Sequence, residues 1–128
     1  MDQFKSTNIM TQLSYVQLPD LVVADTTDVS NPVCVDDARA VSIISPSDID
    51  GKTYTIQGNA KINATNSDTG WTTIQSESST STLADLAVPA VSKAASYPEL
   101  GRYGSIRLKA SAAVSGAVTF QCGKQVYV

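Results

Sequence analysis

From Tyr103 to Gly123 apolar and polar residues take turns along the chain. Ile106, Leu108 and Ala110 alternate with Arg107, Lys109 and Ser111, and Val118, Phe120 and Cys122 alternate with Thr119 and Gln121. A period of two sends successive side chains to opposite faces of an extended backbone, so both segments read as half-buried strands. Small residues from Ala112 to Gly116 separate them. The stretch is expected to fold back on itself as a hairpin, with Ile106, Leu108, Val118 and Phe120 in the core and Arg107 and Lys109 pointing outward.

The same pattern runs through other parts of the chain. Tyr54, Ile56, Gly58, Ala60, Ile62 and Ala64 alternate with Thr55, Gln57, Asn59, Lys61 and Asn63, which predicts a long strand with one small, apolar face. Asn66 to Gly70 supplies a hairpin loop, and Trp71 to Gln75 returns, with Trp71 packed over the edge of the core and its N–H near water. Ala40 to Ser45 is a strand that Pro46 stops, and Asp48 to Gly51 is a turn in which Gly51 takes a conformation that other residues resist. Thr82 to Asp85 reads as one capped helical turn, with an irregular edge strand over Leu83 to Val91 as the alternative. Ala94 to Arg102 is a connector from which Tyr97 and Leu100 dip into the core, and Gln125 to Val128 is a short closing strand.

The first part of the chain is less regular. Met1 to Asn8 has no periodicity and reads as a loose arm with Phe4 as its anchor. Ile9 to Leu18 suggests a strand that is apolar on both sides and ends at Pro19, which has no N–H for a ladder. A helix within Met10 to Val23 is disfavoured by Pro19 and the β-branched residues. Leu21 to Ala24 and Val33 to Val35 are short apolar runs separated by a polar loop. Residues 1–45 therefore read as an N-terminal arm and first strands, and 46–128 as the body of one domain. About seven or eight short antiparallel strands divided by turn signals predict an all-β fold, a single β-sandwich or jelly roll with an extended N-terminal arm.

Composition narrows the function. The 128 residues carry a net charge of -3 with no basic stripe, which argues against nucleic acid as a partner. Met1 to Met10 lacks the apolar core of a secretory signal and no apolar run is long enough to span a bilayer, so no membrane partner is expected. Histidine is absent, which removes the commonest general base and the commonest metal ligand. Cys34 and Cys122 lie too far apart for a redox or zinc motif. Two buried, reduced thiols are the preferred reading, and a long-range disulfide is the alternative.

No motif rises to chemistry. Asp48-Ile49-Asp50-Gly51 has the alternating carboxylates and glycine of a calcium loop, but Pro46 occupies an earlier ligand position and no glutamate closes it, so a plain turn is expected. Asp36 and Asp37 are adjacent, which on a strand sends them to opposite faces. Serines are many, but none has an evident activating base, and neither GxSxG nor a phosphate-cradling glycine loop occurs. Asn63-Ala64-Thr65 fits a glycosylation sequon and, with no secretory signal, reads as strand sequence. Trp71, Tyr97 and Tyr103 have the ring faces for sugar stacking, although core or rim packing is preferred for each. The expectation is a protein with no catalytic group, metal or cofactor.

Two segments together, Gly58 to Gln75 and Leu100 to Phe120, resemble the small β-sandwich virion proteins of tailed bacteriophages, a group that includes capsid decoration or cement proteins. The shared features are a strand, an S-D-T-G loop followed by W-T-T, then a Y-x-x-I-R-L strand and a closing x-V-T-x strand. The resemblance implies a non-enzymatic virion protein, made in the host cytoplasm and placed on the capsid surface, that stabilises the capsid by bridging adjacent major capsid subunits. It implies a homo-oligomer, dimer or trimer, that contacts the capsid through Phe4, Ile9, Leu13, Tyr15 and Leu18 of the arm and through Arg107 and Lys109. The alternative from a different class is a carbohydrate- or host-receptor-binding module of a tail or attachment structure, with Trp71 facing the ligand. A secreted, adhesin-like subunit with a Cys34–Cys122 bridge is a third reading.

Overall fold

Among the described residues eight strands build two four-stranded sheets, and every pairing between these strands is antiparallel. The structure, a computed structural model, describes residues 13–76 and 83–127. In spatial order the first sheet holds β1 (Leu13–Val23), β8 (Val118–Tyr127), β3 (Ala40–Ile44) and β6 (Ala94–Tyr97). The second holds β2 (Val33–Cys34), β7 (Ser105–Ala110), β4 (Tyr54–Asn59) and β5 (Thr72–Thr73). The all-β sandwich predicted from the alternation is the observed architecture.

The apolar members of each alternating run meet between the sheets. Leu21, Val23, Val41, Ile43 and Phe120 from the first sheet are fully or almost fully buried, as are Tyr54, Ile56, Ile106 and Leu108 from the second. Tyr54 and Phe120 touch edge to face across the interface, with ring centroids 5.1 Å apart and planes at 65°. The Tyr54 hydroxyl donates to the Ile49 carbonyl at 2.8 Å and the Tyr97 hydroxyl to the Ala87 carbonyl at 2.8 Å, so neither aromatic residue leaves a polar atom stranded in the core. Tyr97 and Leu100 are buried as expected, the first at the end of β6 and the second in a 3₁₀ turn over Pro98–Arg102.

The hairpin expected over Tyr103 to Gly123 does not form. Ile106, Leu108, Val118 and Phe120 are all in the core, but β7 belongs to one sheet and β8 to the other. The link from Ser111 to Ala117 is an arch across the end of the sandwich. Buried Val114 closes that end, its N–H donating to the Thr27 carbonyl and its carbonyl accepting from Thr26 N–H, both at 2.9 Å. Period-two alternation identifies the buried face of a strand and leaves its neighbour open. Here each strand turns its apolar face to the other, which suits face-to-face packing as well as edge pairing.

Three boundaries also move. The strand expected from Tyr54 to Ala64 ends at Asn59, whose side chain accepts from Lys61 N–H at 3.0 Å and donates to the Thr69 carbonyl at 3.0 Å. The chain bends there, and Ile62 becomes 52% exposed instead of joining the apolar face. Pro19 does not end the first strand; it lies at a register shift between Leu18 and Leu21, a bulge where a missing N–H costs no ladder bond. Gly123 does not separate two strands, because β8 runs through it to Tyr127.

Leu83 to Val91 follows the irregular-strand alternative. Leu86 N–H donates to the Ile74 carbonyl at 2.7 Å, its carbonyl accepts from Ile56 N–H at 2.9 Å, and isolated bridges join Gln75 to Asp85 and Thr55 to Ala87. Thr82, the proposed cap, lies outside the described residues. The turn at Asp48 to Gly51 is as expected, with Asp50 and Gly51 at φ of 57° and 62°.

Candidate functional site

The two outer faces of the sandwich differ in kind, and this difference locates the candidate site. On the second sheet, alternation along β7 places Arg107 and Lys109 outward, and both are engaged within the molecule. The Arg107 guanidinium lies 4.5 Å from the centroid of the Trp71 ring. Its Nε donates to Gln57 Oε1 at 2.8 Å and its terminal nitrogen to Asn66 Oδ1 at 3.2 Å. Partial burial pulls the Arg107 pKa down, against an upward pull from the charge of Asp28. The Trp71 N–H donates to the Thr65 carbonyl at 3.0 Å, which fixes the ring at the mouth of the β4–β5 hairpin.

Lys109 forms an ion pair with Asp28, and that hydrogen bond holds the Asp28 carboxyl below its ordinary value. This outer face is therefore polar and self-paired.

The first sheet is different. Its register puts Leu13, Tyr15 and Gln17 of β1 on the outer face beside Gln121, Gly123, Gln125 and Tyr127 of β8. Ala40, Ser42 and Ile44 of β3 and Ala94 and Ser96 of β6 continue the same face. None of these side chains is charged. Four of them are large, apolar in part and exposed: Leu13 at 45%, Tyr15 at 57%, Ile44 at 39% and Tyr127 at 55%. Charges stand at the borders, with the Arg39 guanidinium 5.3 Å from the centroid of the Tyr127 ring and Asp20 at the bulge of β1.

Tyr15 and Gly123 shape the middle of this face. The hydroxyl end of the Tyr15 ring occupies the space that a Cβ at 123 would need, so the glycine permits the ring to lie down on β8. Beside it an open groove of about 390 Å³ is lined by Tyr15, Gln17, Ile44, Gln121 and Cys122. Amide groups that both donate and accept, next to an aromatic face and an isoleucine, suit recognition of a neutral surface with its own polar backbone.

The remaining candidate residues separate. Leu13 and Tyr15 stand together on the outer face, but Leu18 leaves from the other side of β1 and packs against the core. Phe4 and Ile9 lie outside the described residues. Arg107, Lys109 and Trp71 group on the opposite side of the sandwich from Tyr15. Tyr127, Gln125, Gln121 and Ile44 were missed, although reading one unbroken alternation through Gly123 to Tyr127 identifies the first three.

Among the described residues, carboxylates of the loops are engaged by backbone N–H groups. Asp50 Oδ2 accepts the Ser115 N–H at 2.9 Å, Asp25 Oδ1 accepts the Gly116 N–H at 2.8 Å, and Asp48 Oδ1 accepts the Asp50 N–H at 2.8 Å. Asp50 and Asp25 thereby brace the arch between β7 and β8, Asp48 closes its own turn, and the Ser115 N–H holds the Asp50 carboxyl below its ordinary value. Among the described residues no group of His, Cys, Asp and Glu is arranged to hold a metal ion. Cys34 and Cys122 are free thiols in different sheets; Cys34 donates its S–H to Asp36 Oδ1 at 2.8 Å, and burial pushes the Cys122 thiol up to about 12.

Comparison with protein-family models, with curated proteins and with solved structures gives no match.

Proposed function

We propose that the protein is a non-enzymatic structural module that binds another protein through the uncharged outer face of its first sheet, and that its partner is the major capsid protein of a tailed bacteriophage. In this reading it decorates the capsid surface of the virion and stabilises it by bridging neighbouring subunits. The observation that supports a protein partner is the charge-free face carrying exposed Leu13, Tyr15, Ile44 and Tyr127. Contiguous apolar patches of this kind mark interaction sites, and interface centres are depleted of charge and enriched in tyrosine, with polar rims. Support for a capsid comes from the resemblance carried by Gly58 to Gln75 and Leu100 to Phe120. A lattice repeats one modest contact many times, which suits a face of this size with no deep pocket.

The contact set proposed from sequence changes accordingly. Leu13 and Tyr15 stay in it and Ile44, Gln121 and Tyr127 join. Arg107 and Lys109 leave it, because their charges already meet Trp71 and Asp28. The same stack weakens the carbohydrate reading through Trp71, since Arg107 takes up a face of the ring that a sugar would need.

Co-sedimentation with capsids of the phage that encodes the chain tests the proposal. Wild type and Lys109→Glu are expected to pellet with particles, and Tyr15→Glu and Gln121→Glu to remain in the supernatant. Retained binding by both glutamate variants removes the face from the account. A wild-type chain that fails to pellet removes the capsid.

A further inference from the structure

Edges of β-sheets carry rows of unpaired N–H and C=O groups, which folded proteins protect by keeping edge strands short, charged or covered. Three of the four edges here follow that rule: β2 and β5 have 2 residues each and β6 has 4. The fourth, β1, has 11. Its C-terminal half is covered by Ser30, which bridges Val23, and by Asn31, whose Oδ1 accepts the Val22 N–H at 2.8 Å and whose side-chain amide donates to the Asp20 carbonyl at 3.0 Å. The Asn31 N–H donates to the Val22 carbonyl at 3.3 Å. From Leu13 to Leu18 no described residue takes up the outward-directed backbone groups. That half contains no charged residue, and Val16 on it is 39% exposed.

We propose that this open half pairs antiparallel with the same half of β1 in a second copy of the chain, about a twofold axis that is normal to the sheet and passes beside Val16. An isologous contact requires a self-complementary segment. Leu13 to Leu18 is one, because an extended strand reversed on itself presents matching donors and acceptors and brings no like charges together. The strand's single charge, Asp20, lies beyond the bulge. At about 3.3 Å per residue, the two Asp20 carboxylates of such a pair stand roughly 25 Å apart at opposite ends. The axis sets Val16 against Val16 and Tyr15 opposite Gln17, and it keeps both uncharged outer faces on one side of a continuous eight-stranded sheet. So short a pairing buries less than a standard interface, as weak and reversible contacts do.

The inference is independent of the capsid reading and has its own test. Sedimentation of the full chain over a concentration series is expected to show a monomer–dimer equilibrium. Val16→Lys, which sets two ammonium groups face to face in the pair at an exposed position opposite Lys124 of its own β8, should weaken dimerisation at least tenfold. Ser96→Lys on the β6 edge should leave it unchanged. Hydrogen exchange at Ser14 to Leu18 should slow as concentration rises in wild type and stay fast in Val16→Lys. A wild-type monomer at every concentration overturns the proposal, as does a dimer that Ser96→Lys dissociates and Val16→Lys does not. Concentration-independent protection of Ser14 to Leu18 in a monomer also overturns it, by assigning the edge to another part of the same chain.

Discussion

Tyr15 rests on Gly123. The ring crosses from β1 onto β8 diagonally, since Gly123 is the register partner of Gln17 and Tyr15 that of Gln125, and its hydroxyl end fills the space above the glycine Cα. In a strand interior glycine costs about 0.5–1 kcal/mol relative to alanine, so it stands where a side chain would displace something useful. Gly123→Ala alone is expected to be near neutral, because the gain in strand propensity is offset by pushing out the exposed ring. In a Tyr15→Ala background the same change should stabilise by about 0.5–1 kcal/mol. A urea-unfolding cycle over the two sites measures the difference as a coupling.

Arg107 and Trp71 form the other specific surface pair. A guanidinium over an indole is worth about 0.5–1 kcal/mol at an exposed site. Arg107 is also fixed by Gln57 and Asn66, so it meets the ring without first losing much side-chain freedom. A double-mutant cycle with Arg107→Ala and Trp71→Phe should return a coupling in that range, and Arg107→Lys should recover less than half of it, because a lysine cannot lie flat on the ring. Trp71 is the chain's single tryptophan, so the loss of Arg107 should shift the protein's emission to the red.

Three aspartates set the acid limb of stability. The Asp28 carboxyl is held below its ordinary value of 3.8 by Lys109. Asp50 is lowered by the Ser115 N–H, and Asp68 by the Thr65 N–H and then by Lys61. A carboxyl whose folded pKa is depressed contributes stability that is present above its unfolded pKa and lost as pH falls through the folded one. Unfolding free energy should therefore be flat at neutral pH and fall below about pH 4. Asp28→Asn should flatten that fall by less than about 1 kcal/mol, since the Lys109 and Asp28 side chains are 39% and 43% exposed. Thermal melts at neutral and acid pH give the comparison.

The sequence was legible face by face and illegible edge by edge. Ile106, Leu108, Val118 and Phe120 could be assigned to the core because burial follows a period of two. The hairpin that joined them could not be excluded, because an arch between sheets and a turn within one carry the same small residues. Among the described strands the chain changes sheet at every connection except β4 to β5, which form a hairpin. Pairing was therefore decided by contacts distant in sequence, such as β1 with β8, which no local signal announces. The candidate face was hidden for the same reason. Tyr15, Gln121 and Ile44 become neighbours only when three strands from both ends of the chain are set side by side.

The two thiols should behave very differently. Cys122 faces the core opposite Leu18 and Ile43, is 4% exposed, and has its pKa pushed to about 12 by burial. At mildly alkaline pH only about one part in ten thousand of that thiol is thiolate, the nucleophilic form, and a reagent must also open the sandwich to reach it. Cys34 lies half-exposed on the short edge strand β2, outside the core, with its S–H directed to Asp36. Alkylation of the native protein followed by mass spectrometry should give a single adduct, at Cys34. A second adduct at Cys122 should appear only with denaturant, at a rate that follows global unfolding. Destabilising the core with Phe120→Ala, at a cost of about 3–5 kcal/mol, should speed modification of Cys122 by orders of magnitude and leave Cys34 almost unaffected. Equal native rates at both positions would contradict the placement of Cys122, and adducts that form in denaturant only after reduction would require a disulfide in place of the two free thiols.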